Sequence, residues 1–301
     1  MAVGTTVFFA GAEVSTFTNA LLDAKCRNIL YSFYHILTRH RDAFVDRVID
    51  NHPEVNFFLD SGAFTYGAKK RGMNRSNLVD VKRYIRQYFA YIDAVGTKYC
   101  RIAEPDLDIA DLPVEMVDDW REEMLERWPH LNITPVWHEH RGESAWYEYL
   151  ADKRIKTLAM GSGVIRPQDA GYIRKLVMLA AREGKPVHGF GCTQIQTTLK
   201  HVPFDSVDSS SVWKGQRTGS TFIFRDNRWI VLEGHQKSNR KLYKSYFKNI
   251  GCDPTKILSD DVAEVRKANV KAWVALAGRL ETIKVQGRQT KGVNNVIFST
   301  E

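Results

Sequence analysis

The sequence predicts an α/β fold in which eight parallel strands alternate with helices and close into a (β/α)8 barrel. Short apolar segments alternate with longer segments of helical periodicity within about 210 residues, near the low end of the size of such barrels. Several of the apolar segments also end in Asp, His or Gly, which would gather polar groups at one rim. An open doubly wound sheet is the alternative arrangement for the same alternation.

The predicted strands share a core of aliphatic, β-branched or aromatic residues. They are Thr6–Ala10, Asn28–Tyr34, Asn56–Gly62, Tyr99–Glu104, Ile133–His138, Thr157–Gly161, Pro186–Gly191 and the segment Phe204–Trp213. The predicted helices space their apolar residues three to four apart. They are Thr18–Arg27, Arg41–Asn51, Asn77–Val95, Val114–Trp128, Glu143–Ala151, Pro167–Arg182 and Thr193–Lys200. The segment Tyr66–Arg75, which is rich in basic residues, is predicted to be a loop.

Residues 1–215 would form the barrel and residues 216–301 an extension packed on it. The extension contains a predicted hairpin, Thr221–Phe224 with Trp229–Leu232, and predicted helices Lys237–Asn249 and Asp260–Ile283. Residues 212–301 hold 17 Lys+Arg and 8 Asp+Glu, a net charge of +9, whereas residues 1–211 hold 26 and 27, a net of −1. Such an asymmetry favours a polyanionic partner, of which nucleic acid is the commonest.

The composition excludes several classes of protein. A hydrophobic content of 44% with 26% charged residues is typical of a globular protein with a sizeable core. No segment reaches the roughly 18 apolar residues of a membrane helix, and no signal peptide is evident, so we expect a cytoplasmic protein. Cys26, Cys100, Cys192 and Cys252 are far apart in sequence, which predicts reduced thiols and no zinc site. We expect no cofactor and no metal.

The predicted strand ends would place several carboxylates in one mouth, because the carboxyl ends of parallel barrel strands share a side. The groups concerned are Asp60, Asp106, His138, Gly161-Ser162-Gly163, Gly189-Phe190-Gly191, Asp205 and Asp208. A simpler interpretation is that these Asp and Ser side chains cap local backbone, as in an Asx-turn. Two aspartates in one mouth otherwise suit displacement at an anomeric carbon, one as nucleophile and one as proton carrier. An unrelated glycoside hydrolase on a barrel would use the same pair.

Four segments resemble, in order along the chain, the motifs of the tRNA-guanine transglycosylases. Asp60-Ser61-Gly62-Ala63-Phe64 is similar to the family's Asp-Ser-Gly-Gly-Tyr/Phe motif, and Leu158–Gly163 is similar to its Leu-Ala-Ile/Val-Gly segment. His188–Gly191 resembles Leu-Met-Gly-x-Gly, and Phe204–Asp208 resembles Val-Asp-x-Phe-Asp with the same spacing of the two aspartates. The resemblance covers residues 55–215, and it implies a (β/α)8 barrel that exchanges a guanine base through a covalent aspartyl-glycosyl intermediate.

The resemblance also implies roles for single residues. Asp208 corresponds to the nucleophile, Asp60 to the general acid and base, and Phe64 to the aromatic ring that stacks on the base. Asp106 corresponds to the carboxylate that reads the guanine-like edge, with Glu104 as a competitor for that role.

Three further positions would complete the base pocket. His138 stands where the family has a base-reading glutamine, Gly161 where a backbone group contacts the base, and Phe190 where a methionine covers it. The histidine leaves the identity of the base open.

The chain departs from the family after the last strand, where three close cysteines and a histidine would hold zinc in a module that helps to bind tRNA. Only Cys252 lies in that region here, which is more similar to the phage-type 7-deazaguanine DNA transglycosylases. We therefore expect DNA as the partner, with tRNA as the alternative, and guanine or a 7-deazaguanine as the small substrate. The expected phosphate contacts are Lys69, Lys70, Arg71, Lys214 and Arg217, with Lys237, Arg240 and Lys241 as further candidates. A nucleic-acid-binding protein on an inactive barrel is a further alternative, and the sequence leaves the oligomeric state and the particular deazaguanine open.

Overall fold

The computed structural model describes residues 4–70, 78–110, 112–161, 169–192, 199, 201–282 and 297–299. Within them, nine strand segments form one parallel sheet in the order β5-β4-β3-β2-β1-β9-β8-β7-β6. The segments are β1 Thr6–Ala10, β2 Asn28–Ser32, β3 Asn56–Asp60, β4 Arg101–Ala103, β5 Ile133–Thr134, β6 Val136–Trp137, β7 Leu158–Met160, β8 Val187–Gly189 and β9 Ser206–Ser209.

Pro135 explains why nine segments make an eight-stranded barrel. It separates β5 from β6 inside the single predicted strand Ile133–His138, because proline has no N–H to give to the ladder. The first half pairs with β4 and the second half with β7, so the two ends of the sheet meet at this proline. The predicted (β/α)8 barrel is confirmed, and the alternative of an open sheet is wrong.

Alternation along the strands divides the side chains between two layers. Inward-facing residues from six strands form one small cluster inside the barrel, composed of Phe8, Leu30, Phe58, Ala103, Val136 and Ala159. Their neighbours, such as Val7, Ile29 and Val207, belong instead to the main core between the strands and the helices.

The helices that surround the barrel bury one face each. They are α1 Ser15–Asp23, α2 Phe33–Thr38, α3 Asp42–Asn51, α4 Ala63–Lys70, α5 Leu78–Val95, α6 Val114–Arg127, α7 Gly142–Ala151, α8 Ala170–Arg182 and α9 Lys214–Thr218. In α5 the buried residues recur at helical spacing, at Tyr84, Tyr88, Ile92 and Val95. Most of these helices were predicted within a few residues, whereas the predicted helix Thr193–Lys200 falls almost entirely outside the described residues.

The prediction of a loop at Tyr66–Arg75 is wrong for its first part, because α4 continues to Lys70. The helix begins directly after Gly62, whose φ of +78° turns the chain sharply at the end of β3. It is then held by Tyr66, whose ring stacks on Tyr84 of α5 with centroids 4.5 Å apart. The basic residues Lys69 and Lys70 therefore end a helix, so basic composition alone does not indicate a loop here.

The C-terminal extension begins with the predicted hairpin, now β10 Thr221–Arg225 and β11 Arg228–Leu232. Asp226 and Asn227 form its turn with φ of 52° and 60°, the left-handed conformation that tight two-residue hairpins need. A strand β12, Ile297–Ser299, pairs with β11. Of the predicted helix Lys237–Asn249, only Lys244–Asn249 is an α-helix, here α10. The residues before it belong to a 3₁₀ segment, Gly234–Tyr243.

Two further helices complete the extension, α11 Pro254–Leu258 and α12 Val262–Thr282. The hairpin, α10 and α11 enclose a second, smaller core with residues such as Ile223, Phe247 and Ile257. The far part of α12, by contrast, packs Trp273, Leu276 and Leu280 into the main core of the barrel. No described helix is both long and apolar enough to cross a membrane.

Candidate active site

Asp60 and Asp208 lie at the same barrel mouth, on strands separated by β2 and β1. Asp60 is the last residue of β3, two positions after the inward-facing Phe58, and Asp208 pairs with the inward-facing Phe8 of β1. Both carboxylates therefore face inward at the carboxyl side of the strands. This is the juxtaposition that the sequence predicts.

The surroundings of Asp60 favour its protonated form. Burial, followed by the negative charges of Asp106 and Asp208, raises the pKa of Asp60 to about 8. The Gly62 amide and the Ser32 hydroxyl act in the opposite direction but do not outweigh these effects. At neutral pH Asp60 is thus a carboxylic acid that can donate a proton.

Asp208 is held by one of its two oxygens. The amide of Gly191 donates to Oδ1 at 2.6 Å, and Nε2 of His188 lies 3.5 Å from the same oxygen. The side chain is 13% exposed, and among the described residues both the hydrogen bond from Gly191 and the contact with His188 involve Oδ1. Oδ2 is therefore the oxygen available to a substrate in the mouth.

Asp106 and His138 form a pair on the loops that follow β4 and β6. Nε2 of His138 and Oδ2 of Asp106 are 2.9 Å apart, and the Ser61 hydroxyl donates to Oδ1 at 3.3 Å. Burial opposes protonation of His138, but the hydrogen bond and charge of Asp106 prevail and raise its pKa. The carboxylate reaches the same mouth, since its charge acts on Asp60.

Gly161 makes room for that histidine. A β-carbon at position 161 would overlap the His138 ring, and the Gly161 amide donates to the carbonyl of Trp137 at 3.0 Å. The glycine is thus explained by the close approach of His138, and its amide is already engaged in the sheet. A direct contact of this amide with a base, as the resemblance implies, would require that bond to open.

Two aromatic residues follow strands that end at the mouth. Phe64, in the first turn of α4, is 60% exposed. Phe190 follows β8 and packs its ring 5.7 Å from that of Phe58 inside the barrel. Phe190 therefore packs against the barrel interior, while Phe64 carries an exposed ring on the helix that follows Asp60.

Two carboxylates suspected from the sequence lie elsewhere. Asp205 precedes β9, and its Oδ2 accepts the amide of Val187 at 2.8 Å, so it lies at the amino side of the strands and not in the mouth. Glu104 is wholly buried: it accepts the amide of Val136 at 2.7 Å and faces Arg121 at 3.4 Å. Asp106, and not Glu104, is therefore the carboxylate placed to contact a ligand.

The basic residues predicted to contact phosphates differ in their placement. Lys214 and Arg217 are exposed on α9, beyond the short turn that follows β9. Lys69 and Lys70 end α4, but their side chains, like the whole of Arg71, lie outside the described residues.

Arg240 was expected on the surface, and this is wrong. The side chain is 1% exposed and donates to the carbonyls of Gly219 and Ile257, the Thr221 hydroxyl and Asp260. Lys237 is likewise paired with Asp260. Arg240 therefore stabilises the extension and is not available to bind a phosphate.

Sequence reasoning missed two buried polar groups beside the mouth. His188 lies inside a segment that was noted for its glycines, yet its side chain approaches Asp208. Glu13, three residues after β1, is wholly buried, accepts the amide of Ser32 at 2.7 Å and has its pKa raised by burial. Counting Asp and Glu shortly after every strand, β1 included, would have found Glu13.

The described residues contain no group of three His, Cys, Asp or Glu side chains arranged to hold a metal ion. In the mouth, Asp208 accepts the Gly191 amide, Asp106 lies 2.9 Å from Nε2 of His138, and burial raises the pKa of Asp60 to about 8.

No protein-family model and no curated protein matches the chain. Among solved structures, a protein of Aquifex aeolicus VF5 described only as a structural study aligns with a TM-score of 0.42 at 11% sequence identity. The alignment covers 89% of this chain and 93% of that chain. Similarity at this level identifies neither a family nor a function.

Proposed function

We propose that the protein is a transglycosylase that exchanges guanine in DNA for a 7-deazaguanine base through a covalent aspartyl-glycosyl intermediate. The observation that carries the proposal is the pair of unlike carboxylates in one mouth. Among the described residues no hydrogen bond goes to Oδ2 of Asp208, while Asp60 has its pKa raised to about 8 and carries a proton at neutral pH. A nucleophile and a proton donor are what displacement at an anomeric carbon requires.

The first step breaks the bond between the sugar and guanine. Oδ2 of Asp208 forms a bond to C1′ of the nucleotide as the bond from C1′ to the base nitrogen breaks. The electron pair leaves with guanine, and the acid form of Asp60 supplies the proton that neutralises it. The products are a glycosyl ester on Asp208, free guanine and ionised Asp60.

The second step reverses the first with a different base. Ionised Asp60 removes the ring N–H proton of the incoming deazaguanine, and that nitrogen attacks C1′. The ester bond to Asp208 breaks, and its electron pair returns to the carboxylate. Both aspartates then have their original protonation states, so the cycle needs no other reactant.

Asp106 would select the base. Its carboxylate accepts hydrogen bonds, which suits the N–H groups on the edge of guanine or a deazaguanine. The bonds from Ser61 and His138 hold it ready for that contact, while Phe64 and Phe190 offer rings for stacking.

The choice of DNA rests on the resemblance described above and on the extension. Where the tRNA-acting family carries its zinc module, this chain builds a small apolar core in which Cys252 is buried. Lys214 and Arg217, exposed just beyond the strand of the nucleophile, would hold phosphates while the target base is turned out of the stack.

The experiment is a covalent trap combined with base exchange. A labelled oligodeoxynucleotide incubated with excess protein and quenched in denaturant should migrate with the protein, and labelled guanine should enter DNA. Asp208→Asn should form no adduct and should lose exchange by about 10⁴-fold or more. Asp226→Asn, the same change in the exposed hairpin turn, is the matched control and should retain both.

Two outcomes would correct the proposal. If labelled guanine entered tRNA but not DNA at equal ionic strength, the substrate would be tRNA, and the proposed base-exchange chemistry would still hold. Exchange that persists in Asp208→Asn would remove the covalent mechanism.

A further inference from the structure

A column of polar groups runs through the barrel interior beneath Asp208. His188 of β8 is wholly buried, with Nε2 3.5 Å from Oδ1 of Asp208 and Nδ1 3.0 Å from the hydroxyl oxygen of Ser206. That hydroxyl also accepts a hydrogen bond of 2.6 Å from the Arg101 guanidinium. The order from the floor of the barrel to the mouth is therefore Arg101, Ser206, His188, Asp208.

Hydrogen-bonding rules give the column one direction. A guanidinium can only donate, so the Ser206 oxygen accepts from Arg101 and keeps its single proton for Nδ1 of His188. A neutral imidazole that accepts at Nδ1 carries its proton on Nε2. Among the described residues the group that faces Nε2 is the Asp208 carboxylate, which can only accept while ionised.

Aromatic rings keep the histidine neutral and in place. The rings of Phe8, Phe58 and Phe190 surround it edge-on, with centroids 4.6 to 6.0 Å from its own. Burial lowers the pKa of His188, against the opposing effect of Asp208. The ring therefore cannot easily rotate, and it meets Asp208 as a neutral donor.

We propose that His188 is a positioning residue for Asp208, holding Oδ1 through Nε2–H so that Oδ2 stays directed at the sugar carbon. The inference deepens the proposed function and rests on it. In the free protein Nε2 lies 3.5 Å from Oδ1 and makes no hydrogen bond with the described residues, and catalytic contacts that are long or poorly aligned in a free enzyme tighten when substrate binds. The same donor serves both steps, because Oδ1 remains an acceptor in the glycosyl ester and regains its share of charge when the ester breaks.

Variants of His188 separate positioning from packing. His188→Leu fills the aromatic pocket but removes the donor, and it should slow adduct formation about 10- to 100-fold while guanine binds with unchanged affinity. His188→Gln offers an N–H near the position of Nε2 and should recover most of the rate. Leu30→Val, a small change in the same inner cluster, is the matched control for packing and should keep the wild-type rate. A full rate in His188→Leu, or equal losses in the Leu and Gln variants, would overturn the proposal.

A second measurement does not depend on the reaction, and its deciding result comes from the wild-type protein. In protein labelled with ¹⁵N-histidine, the ring nitrogen shifts of His188 should report the neutral Nε2–H tautomer. Ser206→Ala should shift the population towards Nδ1–H. A wild-type ring with its proton on Nδ1, or on both nitrogens, would overturn the column whatever the reaction is. If the wild-type protein forms no adduct with DNA or tRNA, the proposed function fails, and the tautomer alone decides on the column.

Discussion

Asp60 and Asp208 share a mouth, but their immediate neighbours differ. Asp208 accepts the Gly191 amide and has Nε2 of His188 3.5 Å from the same oxygen. Asp60 is half-buried, and desolvation together with the charges of Asp106 and Asp208 favours its acid form. Two titratable groups whose environments differ in this way are the usual basis for assigning acid and nucleophile.

Asp60→Asn tests this assignment through pH. Asp60 has a pKa of about 8 in the folded protein and about 3.9 in an unfolded chain, so the folded state binds the extra proton between these values. The free energy of unfolding should therefore fall as pH rises from 4 to 8, with the stabilisation present below pH 4 and lost above pH 8. In the asparagine variant, the unfolding free energy should depend less steeply on pH in this window. The difference corresponds to the binding of up to one proton.

The same variant should change the rate profile. Adduct formation by the wild-type protein should fall as pH rises through about 8, because the acid form of Asp60 is lost. Asp60→Asn should form the adduct about 10²- to 10⁴-fold more slowly, and its rate should not show the fall near pH 8. Chemical denaturation and quenched-flow trapping across pH measure the two effects. Identical unfolding slopes in the two proteins would contradict the raised pKa.

Gly161→Ala tests whether the glycine serves His138. The added methyl would overlap the imidazole, so the ring must move and its bond to Asp106 must break. We expect a loss of about 1–3 kcal/mol in unfolding free energy and weaker binding of guanine, measured by calorimetry. Gly171→Ala on α8 is the matched control, since nothing lies within 4 Å of its added carbon, and it should be neutral or slightly stabilising. Unchanged guanine affinity in Gly161→Ala would show that His138 does not organise the base pocket.

Which carboxylates enter the mouth was only partly predictable. Asp60 and Asp208 follow from strand ends, but Asp205 and Asp208 are three residues apart, and an odd spacing in a strand puts two side chains on opposite faces. Applying that rule excludes Asp205 from the mouth. Glu104 was harder, because the ladder of β4 ends at Ala103 and Asp106 lies in the loop beyond it, where alternation no longer holds.

At the scale of elements, the sequence predicted the strands better than the connections. Apolar alternation locates a strand, while α2, α4 and α11 are short and are formed by contacts that no local pattern reports. The stacking of Tyr66 on Tyr84 is such a contact. The prediction of a helix from Lys237 was wrong in its first part for the same reason. That part is 3₁₀, and its conformation follows the burial of Arg240 and not helical periodicity.

Under the proposed function, helix α9 would hold the nucleic-acid backbone near Asp208. Lys214→Gln with Arg217→Gln should weaken DNA binding and reduce the dependence of log K on log salt by about one per lost phosphate contact. The matched control is Lys153→Gln with Lys156→Gln, which removes the same charge from exposed positions before β7, at the opposite end of the barrel. Fluorescence anisotropy over a salt series gives both slopes. An equal loss in the two double variants would mean that net charge, and not α9, governs binding.

At the scale of the whole molecule, helix α12 packs the C-terminal extension against the barrel. Helix α12 lies along β1 and α1, and its side chains share the main core with the strands. The Arg266 guanidinium also lies 5.5 Å from the ring of Phe17, which stacks on Trp213. The chain thus leaves the barrel after α9, builds a small second core, and returns with α12 to cover the space beside β1.

Removing the chain after residue 215 should therefore unfold the barrel instead of releasing a catalytic domain. Without α12 the apolar surface beside β1 is exposed, and Asn28 loses its bond to Glu281.

A milder test within the full chain is Leu276→Ala, a buried position of the main core, which should cost about 2–5 kcal/mol in unfolding free energy. The matched control is Leu242→Ala, an exposed leucine of the same extension, which should change it by less than about 0.5 kcal/mol. Because α12 belongs to the barrel core, Leu276→Ala should also lower the midpoint of a single cooperative transition seen by both circular dichroism and tryptophan fluorescence. A chain of residues 1–215 that melts cooperatively and still forms the covalent adduct would show instead that the boundary near residue 215 is a true domain boundary.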